Sequence, residues 1–203
     1  QPYQSRRVTL TTGVDRSIFR SYERDIVLSQ LNWSVGRVRI GYFGSLEERS
    51  GIEELLTAFG MLHDANPNLE LVIAGHNRID LDLTRSGIRY LGVLEYQEVS
   101  IYMGACDLLV IPYRDHLHNY YAGPCKVAEY LSAQRPVVST DVGAAGCFFK
   151  HSKHSVCIAG DASDLARVLE LQLNAPVVLN FSETFEWNYL AQRLDDFIQT
   201  MEA

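Results

Sequence analysis

Short apolar runs recur along the chain and predict β-strands. Most of them are nearly continuous and do not alternate with polar residues, as expected for parallel strands that helices cover on both faces. We therefore expect a buried parallel sheet. The runs are 38–43, 69–74, 88–91, 107–112, 136–139 and 155–158.

Segments with apolar residues three or four positions apart lie between these runs and predict amphipathic helices. They are 51–65, 96–105, 124–133 and 161–173. A strand followed by a helix, repeated several times, is typical of an α/β fold with a doubly wound parallel sheet, which is a Rossmann-like architecture.

Both ends of the chain depart from this alternation. Val8–Leu10 has strand-like residues, residues 22–31 have a helical pattern, and residues 185–201 predict a closing helix. Core packing is the expectation for Trp187 and the aromatic residues beside it. One face of the closing helix is apolar and contains Trp187, Leu190, Leu194, Phe197 and Ile198.

No internal repeat, low-complexity tract or linker interrupts the pattern. The sequence therefore predicts one domain over 1–203, with an initial segment over about 1–35, a Rossmann-like core over 36–175 and the closing helix over 183–203. A length of 203 residues suits one domain.

Composition and charge exclude several classes of protein. Apolar residues make up 47% of the chain and charged residues 21%, which argues against disorder. The 18 basic and 25 acidic residues leave a net charge of −7, which disfavours binding to nucleic acid. No apolar run approaches the ~20 residues of a membrane-spanning helix.

The start and the cysteines suggest the cellular setting. Gln1 is not Met, and no apolar signal core follows it, so we expect the chain to be part of a longer protein. Four cysteines among 203 residues do not form a disulfide pattern, which favours a reducing cytoplasm. Any membrane contact would then be peripheral, through the part of the protein outside this chain.

The residues that follow the predicted strands are the first candidates for a binding site. In an open parallel sheet, ligands bind beyond the carboxyl ends of the strands, where the winding changes direction. Glycines after the first two strands would let a ligand approach the backbone closely. The strand ends are Gly44 and Ser45, Gly75 to Asn77, Gly92 to Leu94, Tyr113 and Arg114, and Thr140 to Gly146.

The segment from Gly123 to Leu131 has the chemistry of an anion site. Gly123 and Pro124 begin a predicted helix, whose first free N–H groups and dipole attract an anion. Lys126 and Glu129 lie one turn apart and away from the apolar face, so both would face the same cleft. A phosphate near Lys126 with sugar hydroxyls near Glu129 is one interpretation. An i,i+3 surface pair on a solvated helix is the other.

Residues 123–140 resemble the signature of retaining GT-B glycosyltransferases of family 4, which runs Pro-x-Lys-apolar-x-Glu-Tyr-apolar-Ala-x-Gly-x-Pro-Val-Val. Further segments resemble the same family in order and spacing. They are Thr12–Asp15 with Phe19, Tyr42–Leu46 with Gly51–Phe59, Leu71–Gly75, Tyr90–Gly92, Ala105–Pro112 and Phe185–Trp187.

The resemblance implies the C-terminal, donor-binding half of a GT-B enzyme, with the N-terminal acceptor-binding half absent from this chain. It implies binding of a nucleoside-diphosphate sugar as co-substrate, retaining transfer to an unknown acceptor, and no bound metal. Glu129 would bind the ribose hydroxyls, and with Lys126 it would form the catalytic pair.

The remaining donor contacts are also implied by the resemblance. The backbone over Gly123, Pro124, Cys125 and Lys126 would meet the diphosphate and the sugar. The loop from Gly92 to Leu94 would lie against the base. The strand-end residues Gly44, Ser45, Arg49, Gly75 and His76 complete the expected site.

Several positions depart from the family pattern. Tyr121 stands where many members have the first glutamate of a pair. Ser45 and Ser50 replace two cations of the first loop, with Arg49 adjacent, and Gln134 replaces a glycine. These departures keep a second interpretation open, a non-catalytic GT-B-like module that binds a nucleotide or a partner subunit only. In either case we do not expect transfer from this part of the enzyme alone.

Two other interpretations are weaker. Cys147, His151, His154 and Cys157 lack the ligand spacing of known zinc modules, so we expect no metal site there. A receiver-like domain would need an acidic pair directly after its first strand, which this chain lacks. His116 to His118 are expected in a polar loop.

Overall fold

A computed structural model describes residues 7–123, 125–152 and 154–202. Its strands are β1 (Val38–Phe43), β2 (Leu69–Ala74), β3 (Ile88–Tyr90), β4 (Leu108–Ile111), β5 (Val137–Thr140) and β6 (Val156–Cys157). Its helices are α1 (Arg24–Gln30), α2 (Ile52–Ala65), α3 (Tyr96–Gly104), α4 (Leu117–Tyr121), α5 (Cys125–Ser132), α6 (Gly143–Phe149), α7 (Ala162–Asn174) and α8 (Trp187–Glu202).

The six strands form one parallel sheet in the order β3-β2-β1-β4-β5-β6. The chain builds outward from β1 to β3 on one side and then from β4 to β6 on the other, so the winding reverses between β1 and β4. This confirms the predicted doubly wound α/β architecture. The reversal opens a crevice at the carboxyl ends of β1 and β4, where such folds bind ligands.

Helices cover both faces of the sheet. On one face, Leu55 and Phe59 of α2 and Leu165 and Leu169 of α7 pack with Ile40. On the other face, the core joins residues of α3, α5 and α6 to the sheet, among them Met103, Ala128, Phe149, Phe43 and Leu109. Burial on both faces explains why the strands are almost continuously apolar.

The prediction of a strand at Val8–Leu10 is wrong. These residues pair with no strand, and Leu10 is exposed. The chain enters the core further on, at Val14 and Phe19. Val14 donates a backbone hydrogen bond of 2.8 Å to the carbonyl of Phe185, which ties the start of the described chain to the turn before α8.

Two expected loops contain short helices. The polar loop around His116 to His118 forms α4, and the loop after Thr140 forms α6. On the closing helix, Leu190 is buried, whereas Trp187, Leu194 and Ile198 are 41–53% exposed. The expected core packing of Trp187 is therefore only partial, through contact of its ring with Gly13. None of the helices within the described ranges is long and apolar enough to cross a membrane.

Candidate functional site

An open cavity of about 500 Å³ lies beyond the carboxyl ends of β1 and β2 and extends to the start of α5. Residues that follow β1, β2, β3 and β4 line it, together with the first turns of α5. The cavity therefore occupies the crevice that the reversal of the winding creates.

Two glycine loops form the cavity wall at the ends of β1 and β2. The Gly44 N–H donates to the Ala74 carbonyl at 2.8 Å, and the Gly75 N–H donates to the Gly92 carbonyl at 2.7 Å. A Cβ on Gly75 would overlap the carbonyl oxygen of Gly44, so only glycine lets the two loops pack this closely. The loops after β1, β2 and β3 are thus bonded side by side.

The start of α5 faces this wall. Val127, Ala128 and Leu131 are buried in the core, which leaves Lys126 and Glu129 on the cavity side of the helix. Gly123, just before the helix, packs so closely on Thr12 that a Cβ would overlap the threonine hydroxyl. The first two turns of α5 therefore present an ammonium and a carboxylate to one cavity, beside the start of the helix.

The Lys126 side chain crosses from α5 to the first glycine loop. A Cβ built on Gly44 would lie 2.5 Å from its Nζ atom. Nζ donates a 3.4 Å hydrogen bond to the Tyr113 hydroxyl. Burial alone would lower the pKa of Lys126, but Tyr42, Tyr113 and Glu129 outweigh that effect and raise it, so the ammonium stays charged.

Glu129 is half-buried in the same cavity. Burial raises the pKa of its carboxyl group above the ordinary value, and the ammonium of Lys126 partly counteracts this. A carboxylate with a raised pKa in a cavity accepts hydrogen bonds from ligand hydroxyls more strongly than one in water, because the competing solvent is reduced.

The first loop has a different charge arrangement from the one the family pattern suggests. Arg49 lines the cavity, and its Nη2 atom forms an ion pair of 2.8 Å with Glu47. The Ser50 hydroxyl donates a 2.6 Å hydrogen bond to the backbone carbonyl of Glu47, and the Ser45 carbonyl accepts one of 2.8 Å from Tyr42. The two serines therefore order the loop and add no charge to it.

The structure brings most of the predicted binding residues into this one cavity. Gly92 does not line it, although its carbonyl accepts the hydrogen bond from Gly75, and Pro124 lies outside the described residues. The predicted residues that line the cavity are Gly44, Ser45, Arg49, Gly75, His76, Leu94, Gly123, Cys125, Lys126 and Glu129.

Further residues line the cavity. Tyr113 was expected there as a strand-end residue, whereas Tyr42, Glu47, Tyr96 and Phe19 were not predicted. The approach of Phe19 and Tyr96, whose ring centroids are 5.0 Å apart, joins residues far apart in sequence, so no local pattern indicates it.

The chain matches the model of the family described as Glycosyl transferases group 1 over residues 37–174. The chain belongs to this family. Among relatives, this group 1 chain is 28% identical over 163 residues to the Bacillus subtilis protein TuaC, named as a glycosyltransferase of teichuronic acid biosynthesis. The match covers 79% of this chain and 40% of TuaC.

Solved structures support the same fold. Anabaena HepE, solved in complex with UDP and glucose, superposes with a TM-score of 0.73 at 17% identity, over 92% of this chain and 55% of HepE. The C-terminal domain of the Francisella tularensis group 1 protein LpcC superposes with a TM-score of 0.63 at 18% identity, over 93% of this chain and 97% of that domain. This group 1 chain thus has the fold of a GT-B C-terminal domain and spans about half the length of HepE.

Within the described residues, no group of three or more His, Cys, Asp or Glu side chains is placed to hold a metal ion. Of the cysteines considered for zinc, Cys157 is buried in β6, whereas Cys147 is exposed on α6.

Proposed function

We propose that the chain is the donor-binding part of a glycosyltransferase and that its cavity binds a nucleoside-diphosphate sugar. The observation that carries the proposal is the single cavity in which Gly44, Gly75, Lys126 and Glu129 meet beside the start of α5. Membership of the group 1 family and the UDP and glucose bound to HepE support it.

We assign the diphosphate to the space between the first turn of α5 and the first glycine loop. Lys126 supplies a positive charge there, and the free N–H groups of α5 supply a dipole end. Gly44 and Gly75 have no side chains to obstruct a bulky anion. The departing diphosphate would be stabilised by these groups, which are already in place before the reaction.

We assign the ribose to Glu129 and the base to the loop from Gly92 to Leu94. Glu129 lies one helical turn beyond Lys126, so hydroxyls that bind it would sit next to a phosphate that binds Lys126. Leu94 lines the cavity on the side of β3. Retention of the anomeric configuration and the use of a nucleotide sugar are part of this proposal.

We further propose that an acceptor-binding half completes the site and packs on α8. The chain spans 40% of TuaC and 55% of HepE, which leaves room in such proteins for a second half. Helix α8 exposes Trp187, Leu194 and Ile198. Covering them would remove apolar surface from water.

The second candidate is a module that binds a nucleotide or a partner subunit without catalysis. The observation that favours it is the first loop, where Ser45 and Ser50 carry no charge and Arg49 is already paired with Glu47. Lys126 would then be the main cation available to a diphosphate.

Thermal unfolding tests the donor site. With UDP, GDP or ADP at about 100 times its Kd, a binding nucleotide stabilises the fold by about 2.7 kcal/mol. This corresponds to a rise in Tm of about 5–10 °C for a chain of this size. We expect such a rise with one of the three, and its loss in Glu129→Ala. Glu170→Ala, at an exposed position of α7, is the matched control.

Absence of any shift with all three nucleotides would contradict the donor site. An equal shift in Glu129→Ala would contradict the role of Glu129 only. If the nucleotide binds but a full-length protein containing this chain releases no nucleoside diphosphate from the corresponding sugar donor, the non-catalytic module is the correct interpretation.

A further inference from the structure

The ammonium of Lys126 lies between two tyrosines that come from different strands. Nζ is 5.9 Å from the centre of the Tyr42 ring and 5.5 Å from the centre of the Tyr113 ring. Both distances are within the range of cation–π attraction. Tyr42 belongs to β1 and Tyr113 follows β4, so the pair brackets the point where the winding of the sheet reverses.

Each tyrosine is held in place independently of Lys126. Tyr42 is fully buried, and its hydroxyl donates a 2.8 Å hydrogen bond to the Ser45 carbonyl. The Tyr113 carbonyl accepts a 2.7 Å hydrogen bond from the Thr140 hydroxyl at the end of β5. The Tyr42 ring and the Tyr113 backbone are therefore held by contacts of their own, whereas Lys126 reaches the two rings on a flexible stem from α5.

We propose that Tyr42 and Tyr113 are positioning residues that hold the Lys126 ammonium against the Gly44 backbone, so that α5 supplies the first glycine loop with a cation in addition to Arg49, which is paired with Glu47. The inference rests on the donor site proposed above. It adds to that proposal an explanation of how the Lys126 cation is held in place.

The physical benefit is preorganisation. A lysine side chain has many rotamers, and fixing it when the ligand binds reduces affinity. The two rings and the hydroxyl of Tyr113 fix it beforehand. Arginine would not substitute well, because the ammonium already touches Gly44 and a guanidinium is larger.

The charged and titratable groups around Lys126 also affect its pKa. Tyr42 of β1, Tyr113 after β4 and Glu129 of α5 face it and raise its pKa, while burial opposes them. Removing the Tyr113 hydroxyl deletes one group that raises this pKa. The surroundings of the Lys126 ammonium should then change, whether or not a nucleotide is present.

The test compares wild type with Tyr113→Phe, Lys126→Met and the double variant by calorimetric titration. The probes are the nucleoside diphosphate that binds wild type, inorganic pyrophosphate and the matching nucleoside. Tyr113→Phe should weaken binding of the diphosphate and of pyrophosphate about 3- to 10-fold, on the scale of the net contribution of one hydrogen bond, and binding of the nucleoside less than about 2-fold. Tyr189→Phe, at an exposed position of α8, is the matched control.

The double variant shows whether Tyr113 affects ligand binding through Lys126. If Tyr113 acts through Lys126, Tyr113→Phe should cause no further loss in the Lys126→Met background. Equal affinity of wild type and Tyr113→Phe, or the same loss in both backgrounds, would overturn the proposal. The same two results for Tyr42→Phe would show that Tyr42 does not position Lys126.

A readout without nucleotide separates this inference from the donor site. Lys126 is one of three lysines in the chain, so its side-chain signals can be followed by NMR at a fixed pH near neutrality. We expect these signals to shift in Tyr113→Phe relative to wild type, because the hydroxyl that Nζ contacts is absent. Unchanged signals would overturn the contact, whereas failure of every nucleotide to bind wild type would overturn the donor site instead.

Discussion

A buried ion pair at the amino ends of the strands offers a stability prediction that is independent of the binding site. Arg39 of β1 and Glu70 of β2 are register partners, with Nε and Oε2 2.7 Å apart and side chains 0% and 6% exposed. Arg89 of β3 contacts the other carboxylate oxygen at 2.8 Å. The Trp33 ring lies 5.2 Å from the guanidinium carbon of Arg39 and 4.6 Å from that of Arg89.

The perturbation is Glu70→Gln, which keeps the shape of the side chain and removes its charge. Arg39 retains its hydrogen bond of 2.8 Å to the Ser34 carbonyl, but its buried charge loses its counterion. Removing one partner of a buried pair costs about 3–5 kcal/mol. The amide oxygen still accepts one hydrogen bond, so we expect a loss of about 3 kcal/mol.

Urea unfolding measures this loss as a fall in the midpoint of about 1 M or more, since the slope is about 1–3 kcal/mol per M. The matched control is the Arg167–Asp164 pair, also 2.7 Å apart but with Arg167 59% exposed. Arg167→Gln should cost less than about 1 kcal/mol. Nucleotide affinity should be unchanged by Glu70→Gln. A loss no larger than that of Arg167→Gln would refute the reasoning.

Four further predictions concern the site and the backbone that supports it. Burial raises the pKa of Glu129, so wild type loses stability as the pH rises from about 4.5 through that raised pKa. Glu129→Gln should therefore have a higher Tm than wild type at pH 8 and an equal one near pH 4; no difference at pH 8 would contradict this. Gly75→Ala should lower the free energy of unfolding in urea by about 2 kcal/mol or more, because the φ of +143° at Gly75 and the neighbouring loop both disfavour a Cβ. Gln134→Gly should raise it by about 1 kcal/mol, because glycine relieves a φ of +53°. A change of the opposite sign would contradict either prediction. Cys125 and Cys147 are both exposed, and a bound nucleoside diphosphate should slow thiol labelling of Cys125 alone, whereas equal protection of both would contradict the site.

Much of the fold is predictable because the signals are local. The six strands and the longer helices were predicted to within two residues at each end, since a strand buried on both faces is apolar throughout and an amphipathic helix repeats every three to four residues. Helices α4 and α6 were not predicted. They are short, and tertiary contacts hold them: Asn119 of α4 donates to the carbonyls of Arg49 and Arg114, and Gly143 of α6 packs on the Asn119 carbonyl.

The sequence by itself determined the glycines at the strand ends and the spacing of Lys126 and Glu129 on one helix, because these are features of adjacent residues. Only the tertiary structure decided what surrounds them. The winding of the sheet brings Tyr42 and Tyr113, which are 71 positions apart in the chain, to either side of the Lys126 ammonium. A charge–ring contact of this kind depends on distance in space, and no local pattern of residues encodes it.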